Sequence, residues 1–141
     1  MEDYVTFEQA KKLKALGFDW ECDYRYVDNR DLLGLLNLIN VHEFYHLTGV
    51  KITDDSVPAP TLSQAQKWLR EIKDIIIGID FDNWHEKYVC HVYKKIIYNS
   101  ENIKDSYGSM LVTNKSNEDF DTYEQALSVG IDEALELLKN E

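Results

Sequence analysis

The chain has 141 residues, 44% hydrophobic and 12% aromatic, with only two prolines and six glycines, which suits a buried core rather than a disordered or low-complexity tract. Fifteen Lys and Arg against 26 Asp and Glu give a formal net charge of −11 at pH 7. The acid is spread along the chain and leaves no basic face to neutralise phosphates, which argues against binding to nucleic acid or to an anionic membrane.

The first predicted element opens at Thr6-Phe7-Glu8-Gln9-Ala10. Thr stands three residues before Gln, the spacing of a capping box, so a helix is expected from Phe7 to Leu16, ended by Gly17. The phrase Thr-apolar-x-Gln-Ala returns at Thr61-Leu62-Ser63-Gln64-Ala65 and at Thr122-Tyr123-Glu124-Gln125-Ala126. The segments that follow differ, so recurrent cap chemistry explains the repeat better than duplication does. Residues 1–20 are charged throughout and do not read as a signal peptide, and Cys22 and Cys90 lack CxxC spacing. Free thiols in a reducing, cytoplasmic setting are expected.

Residues 25–57 are compatible with a helix, a hairpin or a loop, because short Leu/Ile/Val runs are ambiguous. The apolar run from Leu32 to Val41 is broken by Gly34, Asn37 and Asn40 and is too short to span a bilayer. Pro58-Ala59-Pro60 forces an extended approach to the second helix, whose apolar stripe is Leu62, Ala65, Trp68, Leu69 and Ile72. The period then changes to two. Ile75, Ile77, Ile79 and Phe81 alternate with Ile76, Gly78, Asp80 and Asp82, a half-buried strand. Residues 83–86 read as a turn, 88–98 as a second strand, 99–106 as a polar loop and 107–113 as a weaker third strand. The last helix runs from Tyr123 to Leu138 with Leu127, Ile131, Ala134, Leu135 and Leu138 inward.

The expected fold class is therefore α+β in a single domain. An N-terminal helix and an irregular or hairpin segment (1–57) precede an αβββα unit (58–141) of helix, three-stranded antiparallel meander and helix. That order is also the order of a double-stranded-RNA-binding domain. The final helix here opens with Glu118, Asp119, Asp121 and Glu124 in place of basic residues, so the topology alone does not imply RNA binding.

One motif carries chemistry: His42-Glu43-Phe44-Tyr45-His46, an HExxH pattern with Gly49 three residues on. On a helix the two imidazoles share a face and can hold one zinc ion, with Glu43 placed as general base on a metal-bound water. The reading needs a helix, which Asp31 would cap and whose stripe would run Leu32, Leu35, Leu36, Ile39, His42, His46. The longer metalloprotease signature wants a histidine at position 52, which is Ile; Glu71 is a substitute third ligand, and His85 and His91 are further candidates without diagnostic spacing. As polar edge residues, His42 and His46 need no metal at all. The sequence holds no P-loop, GxGxxG or GxSxG pattern. Cys90 and His91 are adjacent and, on a strand, face opposite ways, so they form no nucleophile–base pair. Asp80 and Asp82 share one strand face that Glu86 can join, a cation-binding or acid–base arrangement that a solvated outer face explains equally.

Residues 58–71, Pro-Ala-Pro-Thr-Leu-Ser-Gln-Ala-Gln-Lys-Trp-Leu-Arg-Glu, together with Phe120-Asp121-Thr122-Tyr123-Glu124-Gln125-Ala126, the following Gly130-Ile131 and Glu133-Ala134-Leu135, and the opening Tyr4-Val5-Thr6-Phe7 with Gly17-Phe18, resemble a group of small uncharacterised proteins of gut anaerobes and their phages or prophages. The resemblance covers the three helices and the meander and implies no activity or site residue. Residues 25–57, which contain the HEFYH motif, depart from that group's pattern.

The sequence is read first as a non-enzymatic accessory or protein-interaction domain of phage-associated type, needing no cofactor. Its partner would be a protein, and its contact surface an exposed sheet face carrying Trp84, Tyr88, Tyr93 and Tyr98 as aromatic anchors. The alternative is a zinc-dependent hydrolase with His42, His46 and Glu71 as ligands and Glu43 as base. A third reading is an acidic mimic of nucleic acid that blocks a basic partner.

Overall fold

The computed structural model describes residues 3–29, 35–52, 56–100, 103–114 and 119–139, with the backbone alone for 28–29, 35–37, 96–100 and 103–114. Among these residues the architecture is α+β, four helices with two three-stranded antiparallel sheets, and the chain divides into two compact units, residues 1–63 and 64–141.

The first unit opens with helix α1, Phe7–Ala15. Its capping box is complete: the Thr6 hydroxyl accepts from the Gln9 amide at 3.2 Å and the Gln9 side chain accepts from the Thr6 amide at 2.9 Å. At the other end Gly17, with φ of 98°, turns the chain. The Phe18 amide then donates to the Leu13 carbonyl and the Gly17 amide to that of Lys14, a Schellman motif whose apolar ends, Leu13 and Phe18, are both buried.

Strand β1, Tyr24–Asn29, lies between β2, Leu35–Asn40, and the two-residue edge strand β3, Val57–Pro58. Proline belongs on such an edge because it has no amide hydrogen to donate. The Arg25 side chain ties β1 to the segment before β3, its guanidinium donating to the Ser56 hydroxyl and, at 2.9 Å, to the Ser56 carbonyl. The N-terminal segment joins from the other end of the sequence: Val5 donates to the Pro60 carbonyl, Leu62 to that of Asp3, and the Tyr26 hydroxyl to the Val5 carbonyl at 2.6 Å.

Here the structure corrects one expectation. No single helix runs from the Leu32 region to His46. Residues 35–40 are a strand in full antiparallel register with β1, from Asn29↔Leu35 to Tyr24↔Asn40. A new helix, α2, then covers Val41–Thr48, and its cap is Asn40, whose side chain accepts from the Glu43 amide at 3.0 Å. The Leu/Ile run has no intrinsic preference strong enough to resist pairing; a partner strand and an Asn positioned to cap divide it. The proposed cap Asp31 and Leu32 lie outside the described residues.

Helix α3, Leu62–Ile72, begins in the first unit and continues in the second. Leu62, Ala65, Trp68 and Leu69 are buried as the stripe predicts, but Ile72 is exposed. It is the last helical residue, and Asp74 at φ 59° redirects the chain into the sheet two residues later.

The second sheet is the meander β4 (Ile75–Asp82), β5 (Lys87–Ser100) and β6 (Ile103–Asn114). Both β5 and β6 extend further into the expected 99–106 loop than the polar residues there suggested. Helix α4, Tyr123–Lys139, packs on β4 and β5. All five residues predicted to face inward are buried. Gly130 marks the closest approach: a Cβ there would sit 2.5 Å from Ile77 Cγ2. Pairing across β4 and β5 puts Ile75, Ile77, Cys90 and Val92 on the face beneath α4, and all four are buried. His91 and Tyr93 point the other way.

Candidate functional site

The hairpin between β4 and β5 turns through residues 83–86. Asp82 builds the turn: one carboxylate oxygen accepts from the Trp84 amide at 3.0 Å and the other meets His85 Nδ1 at 2.7 Å. Glu86 completes the reversal at φ 52°. The His85 bond holds the Asp82 carboxyl below its ordinary value, and Asp82 in turn raises His85. This local network leaves the Trp84 side chain 93% exposed at the tip.

Behind the tip, Phe81 of β4 and Tyr88 of β5 are paired across the hairpin with ring centroids 5.1 Å apart. Tyr88 meets Tyr123 of α4 edge-on, at 6.1 Å and 89°. A bridge of two 2.8 Å backbone hydrogen bonds between Tyr88 and Phe120 holds the approach to α4 against β5, and Lys87 bonds the Asp121 carboxylate. Phe81 is 49% exposed and Tyr123 41% exposed, so three aromatic rings in contact, with Trp84 nearby in sequence on the turn, reach solvent at one end of the helix–sheet layer. Exposed carboxylates flank these segments along the chain, Glu86 at the end of the turn and Asp119, Asp121 and Glu124 around the start of α4.

The four aromatic residues expected on one sheet face are not together. Tyr88 lies at the margin of the face that α4 covers, whereas Tyr93 points to the opposite face, beside His91 at 6.3 Å. Trp84 belongs to the turn. Tyr98 pairs through its backbone with Ser106, and its side chain lies outside the described residues. Alternation along β5 made the separation of Tyr88 from Tyr93 readable. In the sequence Phe81 falls on the apolar face of a half-buried strand and Tyr123 opens a helix, and only the packing of α4 brings them to Tyr88.

The carboxylates considered as a set are also divided. Asp80 reaches across to His91, with Nε2 to Oδ2 at 3.3 Å, and Asp82 serves its own turn. Cys90 is buried beneath α4, where Gly130 approaches it.

No known protein family, no curated protein and no solved structure matches this chain.

The HEFYH motif lies on a helix, though a short one that buries no residue. His42 and His46 are one turn apart, both exposed, and with Glu43, Tyr45 and Leu47 they line an open depression of about 580 Å³. Glu71 is exposed on α3, in the second unit, and among the described residues no three His, Cys, Asp or Glu side chains gather into a metal-holding group. A second cleft of about 530 Å³ in the first unit is lined by Lys14, Trp20, Cys22, Arg25 and Ile52 among others. Its thiol is poorly suited to nucleophilic work: burial pushes Cys22 up to about 11, and Sγ lies 3.5 Å from the Trp20 carbonyl. Among the described residues no helix is long and apolar enough to cross a membrane.

Proposed function

We propose that this chain is a non-enzymatic protein-interaction domain of the phage-associated group it resembles, acting in the cytoplasm, and that the end of the second unit around the β4–β5 hairpin is its contact surface. The observation that carries the reading is the cluster of exposed Phe81 and Tyr123 about half-buried Tyr88, with Trp84 on the adjoining turn. Aromatic side chains supply a large share of the energy at protein interfaces, and a Trp held at 93% exposure by an ordered turn contributes little to its own fold. The carboxylates that flank these segments favour a partner segment that presents Lys or Arg beside apolar residues, since cations are steered by the acidic field and can stack on Trp84 and Tyr123.

A test uses isotope-labelled protein and a panel of peptides that pair an apolar residue with Lys or Arg, beside acidic peptides of matched hydropathy. Amide shifts confined to 80–88 and 119–125, weakened by salt and by Trp84→Ala, would support the reading. Shifts scattered over the surface, or none, would refute it.

The hydrolase alternative has one observation in its favour, the helix across residues 42–46 that brings two histidines to one side. It still requires a third ligand. The acidic-mimic reading rests on net charge alone.

A further inference from the structure

The α2 motif is not used by the aromatic surface, and it sits in the other unit. His42, Tyr45, His46 and Gly49 follow the i, i+3, i+4, i+7 spacing of one helix face. Residues four apart place their Cβ atoms roughly 5–6 Å from each other, close enough for two imidazoles to reach one ion at the ~2.0–2.1 Å of a zinc–nitrogen bond. The helix that carries them is closed at both ends, by the Asn40 side chain and by Gly49 in the left-handed region at φ 71°, whose amide donates to the Tyr45 carbonyl at 2.7 Å. Two nitrogens are half of a tetrahedral zinc shell, and among the described residues no third protein ligand joins them.

We infer that His42 and His46 are one half of a divalent-metal site that a second copy of this chain completes. A two-fold axis through the ion brings an identical half-site opposite the first, giving four imidazole nitrogens around one Zn²⁺. The surroundings favour this occupant. Leu47 is 84% exposed and Tyr45 half-exposed on the same short helix, so pairing α2 with its copy removes apolar surface from water. A net charge of −11 per chain opposes pairing in the absence of metal, and the cation offsets part of that repulsion. The association is therefore metal-dependent. The ion is structural, with no coordination position left open for a reacting water, so the site is a metal clip rather than a hydrolytic centre.

The experiment is sedimentation of the intact chain at neutral pH with Zn²⁺ added stepwise, beside metal analysis of the dialysed protein and the variants His42→Ala, His46→Ala and Glu43→Gln. The expected result is a chelator-reversible dimer holding one Zn²⁺ per two chains. Either histidine variant should lose at least the ~10–100-fold in metal affinity that even outer-shell partners are worth, together with the dimer, while Glu43→Gln keeps both. Because α2 buries no residue, these variants should fold, which circular dichroism checks. A monomer retaining one Zn²⁺ per chain would overturn the inference and favour an ion completed within the chain. Absence of bound zinc, or a dimer indifferent to zinc and to both variants, would overturn it equally.

Discussion

Gly130 offers the sharpest test of how α4 seats on its sheet. A methyl group added there lands 2.5 Å from Ile77 Cγ2, about 1 Å inside ordinary contact, and 3.8 Å from Cys90 Cβ. The obstructing atom cannot swing aside cheaply: Ile77 is β-branched, stiff at χ1 and buried. Overpacking of this kind costs roughly 1–3 kcal/mol, whereas Ala in place of Gly inside a helix returns roughly 1 kcal/mol. Gly130→Ala should therefore destabilise by about 0–2 kcal/mol, and Gly130→Val by more, although an exposed helical glycine would respond with the opposite sign. Urea unfolding followed by circular dichroism gives the midpoints. The deciding comparison is Gly130→Ala in an Ile77→Ala background, where the clashing methyl is gone and only the propensity gain remains. A coupling of about 1–3 kcal/mol between the two sites is expected. Ile77→Ala itself costs roughly 2–5 kcal/mol, so the cycle is measured with a stabilising osmolyte in every sample. A stabilising Gly130→Ala in the unaltered chain, or two additive substitutions, would refute the close approach.

Trp84→Ala should leave the unfolding free energy within about 0.5 kcal/mol of the parent, while Trp68→Ala, at a buried position, should cost roughly 3–5 kcal/mol; equal effects would mean that Trp84 is packed. Thr6→Ala removes one half of the α1 capping box and should cost about 0.5–2 kcal/mol in the same assay, with a loss near zero counting against the cap. The Asp82–His85 pair should tie the hairpin turn most firmly between the ordinary Asp and His values, 3.8 and 6.5. A raised histidine contributes fully below its unfolded value and loses its part as pH rises through the folded one, and a lowered aspartate loses its part as pH falls. An NMR titration in which His85 protonates at or below its ordinary value would break this argument.

Much of the fold was legible because it rests on local chemistry. Helix α1 is written in Thr6, Gln9 and Gly17, whose side chain or missing side chain acts within four residues of itself. The period-two run from Ile75 and the inward stripe Leu127 to Leu138 follow from burying one face of a regular element, and the structure buries them, with Phe81 and Ile79 grading into solvent as the hairpin leaves the cover of α4. The 35–48 segment was not legible. Its Leu/Ile residues satisfy a helix stripe and a strand equally, and what decides is β1, the upstream strand it pairs with.

The candidate sites divide along the same line. Spacing alone puts His42 and His46 on one side of any helix that holds them, and alternation alone separates Cys90 from His91. Which aromatic residues meet is a different kind of fact. Phe81, Tyr88 and Tyr123 come from β4, β5 and α4, and they touch because Gly130 lets the helix lie close on the sheet and the Tyr88–Phe120 bridge aims its first turn at the hairpin. Local sequence determines caps, turns and the period of each element, since those energies act within one turn or one strand pair. Only tertiary packing, which sums weak contacts between distant segments, decides which exposed side chains become neighbours.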